Sequence, residues 1–257
     1  MITEVQDFTP VGSEQEAIFL EGPNSRWKEL LFVYGVLKEF IKGFRKLHFA
    51  GPCVTVFGSA RFTEEHPYYA TARELGREIV KLGFAVITGG GPGIMEAANR
   101  GAKEQGGRSI GCNIVLPKEQ KPNRYLDSWV SIDYFFVRKI LLTKYSYAFV
   151  VLPGGYGTLD EFFEAITLIQ TGKMQRFPIV LMGKEYHKEL YSHIQNMIQQ
   201  QTISSDDAEL FLFTDSIQDV INHINKYAIQ GFGLKKKTKM KPSKILGEHI
   251  WFKKLHI

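Results

Sequence analysis

Apolar positions along the chain fall into two alternating patterns. Continuous apolar runs predict strands buried on both faces at residues 53–57, 84–88, 109–116, 147–152, 178–182 and 210–213, with a shorter one at 129–133. Between them, apolar residues recur at helical spacing over 68–82, 94–105, 135–145, 162–170, 186–201 and 216–228. Glycines punctuate the ends: Gly83 stops one helix and Gly106-Gly107 another. Strand–helix alternation of this kind predicts an α/β fold, a doubly wound, mostly parallel, Rossmann-like sheet with helices on both faces.

Ahead of the first strand, Leu30, Leu31, Tyr34, Leu37, Ile41 and Phe44 recur at steps of three and four, so residues 27–49 predict an amphipathic N-terminal helix. It would pack on the domain or on a partner subunit. A membrane-surface helix fits less well, because Glu29 and Glu39 balance its lysines. Residues 1–25 carry no clear periodicity and form a lead-in. The expected organisation is therefore a lead-in and helix over 1–50, a nucleotide-binding domain over 51–230 and a tail over 231–257.

Charge sharpens the last boundary. The chain of 257 residues has a formal net charge of +5, but eight lysines stand against one acidic residue, Glu248, from Gly231 onward. The basic character belongs to the tail, and the rest of the chain is slightly acidic. Lys235 to Lys244 hold six of those lysines with no aromatic among them. That pattern fits a solvated segment better than a nucleic-acid surface. No run is long enough to cross a membrane, and the N-terminus lacks a basic region followed by an apolar stretch. Cys53 and Cys112 both fall in strand-like runs and read as buried, reduced thiols of a cytoplasmic protein.

Three glycine-bearing turns follow predicted strands: Gly58 to Arg61, Gly89 to Gly93, and Gly154 to Thr158. In a doubly wound sheet, ligands bind beyond the carboxyl ends of strands, so the three turns are expected to share one crevice. The segment 153–161 (PGGYGTLDE) is the most informative. A strand, a glycine-rich turn and a helix start in that order make an anion site from free N–H groups and the helix dipole. By themselves, the same residues also suit a plain turn, with Thr158 as N-cap and Asp160 and Glu161 in the first turn. The Gly89–Gly93 turn (GGGPG) lacks dinucleotide-fingerprint spacing, and no GK[ST] follows any glycine turn, which disfavours nicotinamide and ATP-hydrolysing enzymes.

PGGYGTLDE resembles the PGGxGTxxE signature of the LOG family, the cytokinin riboside 5′-monophosphate phosphoribohydrolases, whose members are often labelled lysine decarboxylases. The resemblance runs from about Cys53 to Ile229. Residues 135–142 (FFVRKILL) resemble the family's MxxRKxxM element, with Phe135 and Leu142 at the methionine positions. Residues 89–102 (GGGPGIMEAANRGA) resemble the matching segment of bacterial members.

The resemblance implies hydrolysis of the N-glycosidic bond of a nucleoside 5′-monophosphate, releasing base and ribose 5-phosphate, without a cofactor or metal. It implies Glu161 as the carboxylate beneath the sugar and Arg138 as its partner. Gly154, Gly155, Gly157 and Thr158 would hold the 5′-phosphate. Lys139, Ser59, Gly90, Gly91, Glu96, Asn99 and Thr167 are further binding candidates. On their residue types alone, Arg138 and Lys139 also read as a solvated basic pair, and Glu96 and Asn99 as polar positions on a helix surface. Asp160 is expected to cap and support. A homodimer or larger homo-oligomer is implied as well. The rival reading is a binding module, since the fold also resembles molybdenum-cofactor carrier proteins. A pyridoxal-dependent lysine decarboxylase is disfavoured, because no lysine stands in a recognisable Schiff-base setting.

Overall fold

The computed structural model describes residue 20 and residues 22–116 and 121–231. The tail expected at 231–257 lies outside the described residues except for Gly231, and so does most of the lead-in.

Seven strands form one sheet: β1 (Cys53–Phe57), β2 (Ala85–Thr88), β3 (Ser109–Ile114), β4 (Ser128–Ile132), β5 (Ser146–Val151), β6 (Ile179–Met182) and β7 (Phe211–Thr214). The order is β4-β3-β2-β1-β5-β6-β7, and every neighbouring pair is parallel. The central strands are mostly apolar because both faces are covered, and their buried Thr55 and Ser146 hydroxyls are bonded to each other. Cys53 and Phe57 point into one core, Val54 and Val56 into the other.

The helices are α1 (Arg26–Leu47), α2 (Pro67–Lys81), α3 (Ile94–Glu104), α4 (Phe135–Tyr145), α5 (Tyr156–Gln170), α6 (Lys188–Gln199) and α7 (Ile217–Ile224). Buried residues of α1, α4, α5 and α6 join the first core; those of α2, α3 and α7 join the second. The chain winds outward from β1 to β4, returns through α4 to β5 on the other side of β1, and winds outward again. The topological switch therefore lies between β1 and β5, and in such a sheet ligands bind beyond the carboxyl ends of the strands at that point.

Several boundaries differ from the sequence expectation, three of them informatively. The helix after β5 starts at Tyr156, not at residue 162, so Gly157 and Thr158 are helical. The helix expected from 186 starts at Lys188, after a turn. The last helix ends its regular course at Ile224 and continues over Asn225–Gly231 with π-type bonding.

α1 forms as expected, with the Ser25 hydroxyl accepting from the Lys28 N–H. It packs on the domain through one side: Phe32 stands edge-on to Tyr134 at 5.2 Å, and Leu47 is buried in the first core. Trp27, Leu30, Leu31, Val33, Tyr34 and Leu37 on the other side remain exposed. Among the described residues no helix is long and apolar enough to cross a membrane.

Candidate active site

The β1 and β5 ladders continue past their strand ends into both turns. Leu152 N–H donates to the Phe57 carbonyl and Ser59 N–H to the Pro153 carbonyl, each at 2.9 Å. The Ser59 carbonyl in turn accepts the Ile94 N–H at the start of α3, also at 2.9 Å. Three hydrogen bonds thus tie the three glycine turns together at the switch point. Close approach explains two of the glycines. A Cβ at Gly58 would stand 2.7 Å from Ile94 Cβ, and one at Gly93 (φ +69°) 2.8 Å from the Ala60 carbonyl carbon.

Gly155 caps the start of α5, and no side chain takes the capping role expected of Thr158. Thr158 is instead buried in the first turn, where it packs beneath Gly154. Gly155 and Gly157 face open space and are exposed, so the start of a fifteen-residue helix, with its free N–H groups, is accessible beside the switch point. Tyr186 fixes the turn from the β6 side, its hydroxyl donating to the Gly154 carbonyl at 2.9 Å.

Glu161 lies in the second turn of α5, too deep to cap the helix, and only 6% of it is exposed. Burial raises its carboxyl to about 7, against the opposing pull of Arg138 and Lys139. Among the described residues no hydrogen bond or ion pair reaches it. Arg138 comes from α4 on the same side of the sheet. Its Nε donates to the Cys112 carbonyl on β3 at 3.0 Å, and a Cβ on Gly89 would lie 2.5 Å from its terminal nitrogen. Arg138 therefore bridges the Gly89 turn and the region of Glu161.

The other candidates divide. Lys139 is engaged by two carboxylates of α5, Asp160 at 2.8 Å and Glu164 at 3.1 Å. Asp160 is thus an ion-pair partner and not the helix cap expected. Asn99 is fully buried rather than on a helix surface. Its Oδ1 accepts from the Thr88 hydroxyl at 2.6 Å and from Asn123 Nδ2 at 3.0 Å. Asn123 Nδ2 also donates to the Gly90 and Gly91 carbonyls, and Gly90 N–H to the Thr88 hydroxyl. Asn99 therefore shapes the Gly90–Gly91 turn from below. Glu96 accepts from the Tyr69 hydroxyl at 3.4 Å in the first turn of α3. Ser59 accepts the Arg61 N–H in its own turn. Thr167 stands apart, exposed on α5 and bonded to the Phe163 carbonyl.

A family model described as possible lysine decarboxylase matches residues 95–224, about half of the chain. The chain belongs to this family, the LOG family. Named relatives agree. The cytokinin riboside 5′-monophosphate phosphoribohydrolase LOG3 of Arabidopsis thaliana is 28% identical over 68% of this chain and 82% of its own length. The counterpart LOG of Oryza sativa subsp. japonica is 28% identical over 72% of this chain and 76% of its own. Among solved structures, the molybdenum cofactor carrier protein of Chlamydomonas reinhardtii superposes with a TM-score of 0.51. It is 25% identical over 68% of this chain and 97% of its own.

In this LOG-family chain the two signature elements, α4 and the β5–α5 turn, supply Arg138 and Glu161 to one side of the switch point. Asn123, Tyr186 and the Cys112 carbonyl were not singled out from sequence. Asn123 sits in a proline-bearing connection, and the other two act through contacts 26 to 32 residues away, which no local pattern signals.

Proposed function

We propose that the chain is a phosphoribohydrolase that cleaves the N-glycosidic bond of an adenosine 5′-monophosphate, N6-modified or plain, to free base and ribose 5-phosphate. The observation that carries this is the buried Glu161 carboxyl, six residues into the helix whose N-terminus opens beside Gly155 and Gly157. A phosphate on those N–H groups sets the sugar toward Glu161. Glycoside cleavage builds positive charge at the anomeric carbon, which a carboxylate there stabilises. A carboxyl near neutrality can also take the proton that the attacking water gives up. Arg138, a planar donor, suits ribose or phosphate oxygens. Ser59, Gly90, Gly91 and Glu96 complete the nucleotide's surroundings, with Asn99 and Lys139 acting through the groups they hold.

The LOG-named relatives support this reading at family distance. A panel of nucleoside monophosphates and nucleosides, with released base followed by chromatography, tests it. Hydrolysis of AMP or its N6-substituted forms, with little turnover of adenosine, is expected. Equal rates on adenosine and AMP would remove the phosphate-anchoring argument.

The likeness to the carrier protein of Chlamydomonas reinhardtii favours one alternative, a binding protein without turnover. Mere holding of a phosphate, however, gives no use to a buried, unpaired carboxyl beside it. The working form we propose is a homo-oligomer in the cytoplasm. The exposed apolar side of α1 offers surface for a second copy, and both cysteines are free and buried, as in a reducing compartment.

A further inference from the structure

α1 lies outside the span matched by the family model, yet it grips the helix that carries Arg138. Contacts of three kinds stand out in the grip. Phe32 stands edge-on to Tyr134, the residue just before α4, and also meets Phe136 in its first turn. Gly43 makes room for the Leu141 side chain of α4, since a Cβ there would stand 2.8 Å from Leu141 Cδ2 and nearer still to Cδ1. The third contact is polar. Glu39 is a buried acid on α1, and its Oε2 accepts the backbone N–H of Asp133 at 3.0 Å. Its Oε1 holds Lys42 at 3.0 Å.

Asp133 is the last residue before the cap of α4, and the Tyr134 carbonyl accepts the Arg138 N–H at 3.1 Å. The bond from Glu39 therefore fixes the backbone one helical turn ahead of Arg138. A hydrogen bond in a buried setting is directional, so it sets direction as well as distance. Arg138 needs that precision: its Nε must stay on the Cys112 carbonyl while a terminal nitrogen lies against Gly89. Packing through Phe32 and Gly43 alone would permit α4 to slide along its axis, because apolar contacts are not directional.

We propose that Glu39 is a positioning residue for Arg138: its carboxylate anchors the entry to α4 and so sets where the guanidinium meets the nucleotide. This rests on the proposed role of Arg138 in binding a nucleoside 5′-monophosphate.

The test compares Glu39→Leu with Glu39→Gln in the full chain. Leu keeps the volume and deletes the acceptor, while Gln keeps a carbonyl that can still accept from Asp133. Glu39→Leu should lower kcat/KM on AMP by about tenfold to a hundredfold, as small misplacements of binding groups do. Glu39→Gln should restore most of it. In an Arg138→Ala background the Leu substitution should cost little more, because the two act on one coordinate. An equal loss in both backgrounds would mean general loosening and would overturn the proposal. If Glu39→Leu does not fold, Glu39→Ala takes its place.

Backbone amide exchange of the unaltered protein supplies a readout independent of turnover. The Asp133 and Arg138 amides should be protected, and Asp133 should lose protection in the Leu variant and keep it in the Gln variant. An Asp133 amide exchanging like an open loop in the unaltered protein overturns the anchor outright. Absence of hydrolysis with this exchange pattern intact would instead count against the proposed function and leave the anchor standing.

Discussion

Lys139 of α4 and Asp160 of α5 are joined by an ion pair of 2.8 Å, while their chain neighbours Arg138 and Glu161 are not joined. The first pair ties the two helices together at the rim. Behind it, the second pair stays apart, each group near enough to feel the other's charge. A buried carboxyl without a bonded partner costs stability, and groups perturbed in this way cluster at functional sites.

Glu161→Gln tests that role. The substitution keeps the size and removes the charge. Turnover of AMP at saturating substrate should fall by on the order of a hundredfold or more, with KM little changed. Arg138→Ala should differ by weakening binding and turnover together, since its contacts exist before the transition state. Wild-type turnover in a folded Glu161→Gln variant would return the chain to the carrier reading.

The same variant carries a stability signature. The folded carboxyl sits at about 7, above its ordinary 4.5, so the fold favours the protonated form. Its stabilising contribution is complete below pH 4.5 and is lost as pH rises through 7. Above that, the buried carboxylate costs about 3 kcal/mol relative to a neutral side chain. Glu161→Gln should therefore melt above the parent protein at pH 8 and close to it at pH 4. Equal melting differences at the two pH values would mean that the carboxyl is better solvated than its burial indicates.

The sheet was legible in the sequence because its strands are buried on both faces, which leaves uninterrupted apolar runs such as residues 147–152. The start of α5 was not. Tyr156-Gly157-Thr158 has poor helical propensity, and the turn before it is held by Thr158 packed under Gly154 and by the distant Tyr186 hydroxyl on the Gly154 carbonyl. The motifs single out Glu161 and Arg138 as candidates. The pairing of Lys139 with Asp160 and the buried Thr88–Asn99–Asn123 cluster were not legible, because each joins residues whose proximity only the fold creates.

The exposed side of α1 predicts self-association. Light scattering should give a mass of at least two chains, and charge placed in the patch, as in Leu31→Glu with Leu37→Glu, should lower it. Both residues are more than half exposed, so the substitutions should leave the monomer folded. A monomer mass that does not change with concentration in the unaltered protein would count against this use of the patch.

Two glycines separate fold from binding. Gly93 has φ +69°, and a Cβ there would run into the Ser59 carbonyl. Gly93→Ala should destabilise by about 2 kcal/mol or more, because both the backbone and the neighbouring turn would have to shift. Gly157 differs on each count. It lies inside α5, it is exposed, and nothing stands within 4 Å of an added Cβ. Alanine costs less conformational entropy in a helix than glycine, so Gly157→Ala should stabilise by up to about 1 kcal/mol. The open space it fills is the space proposed for the 5′-phosphate, so KM for AMP should rise several-fold while the melting temperature rises too. Those opposite signs cannot come from damage to the fold. A Gly157→Ala variant that melts higher and binds AMP as before would place the phosphate elsewhere than at the α5 N-terminus.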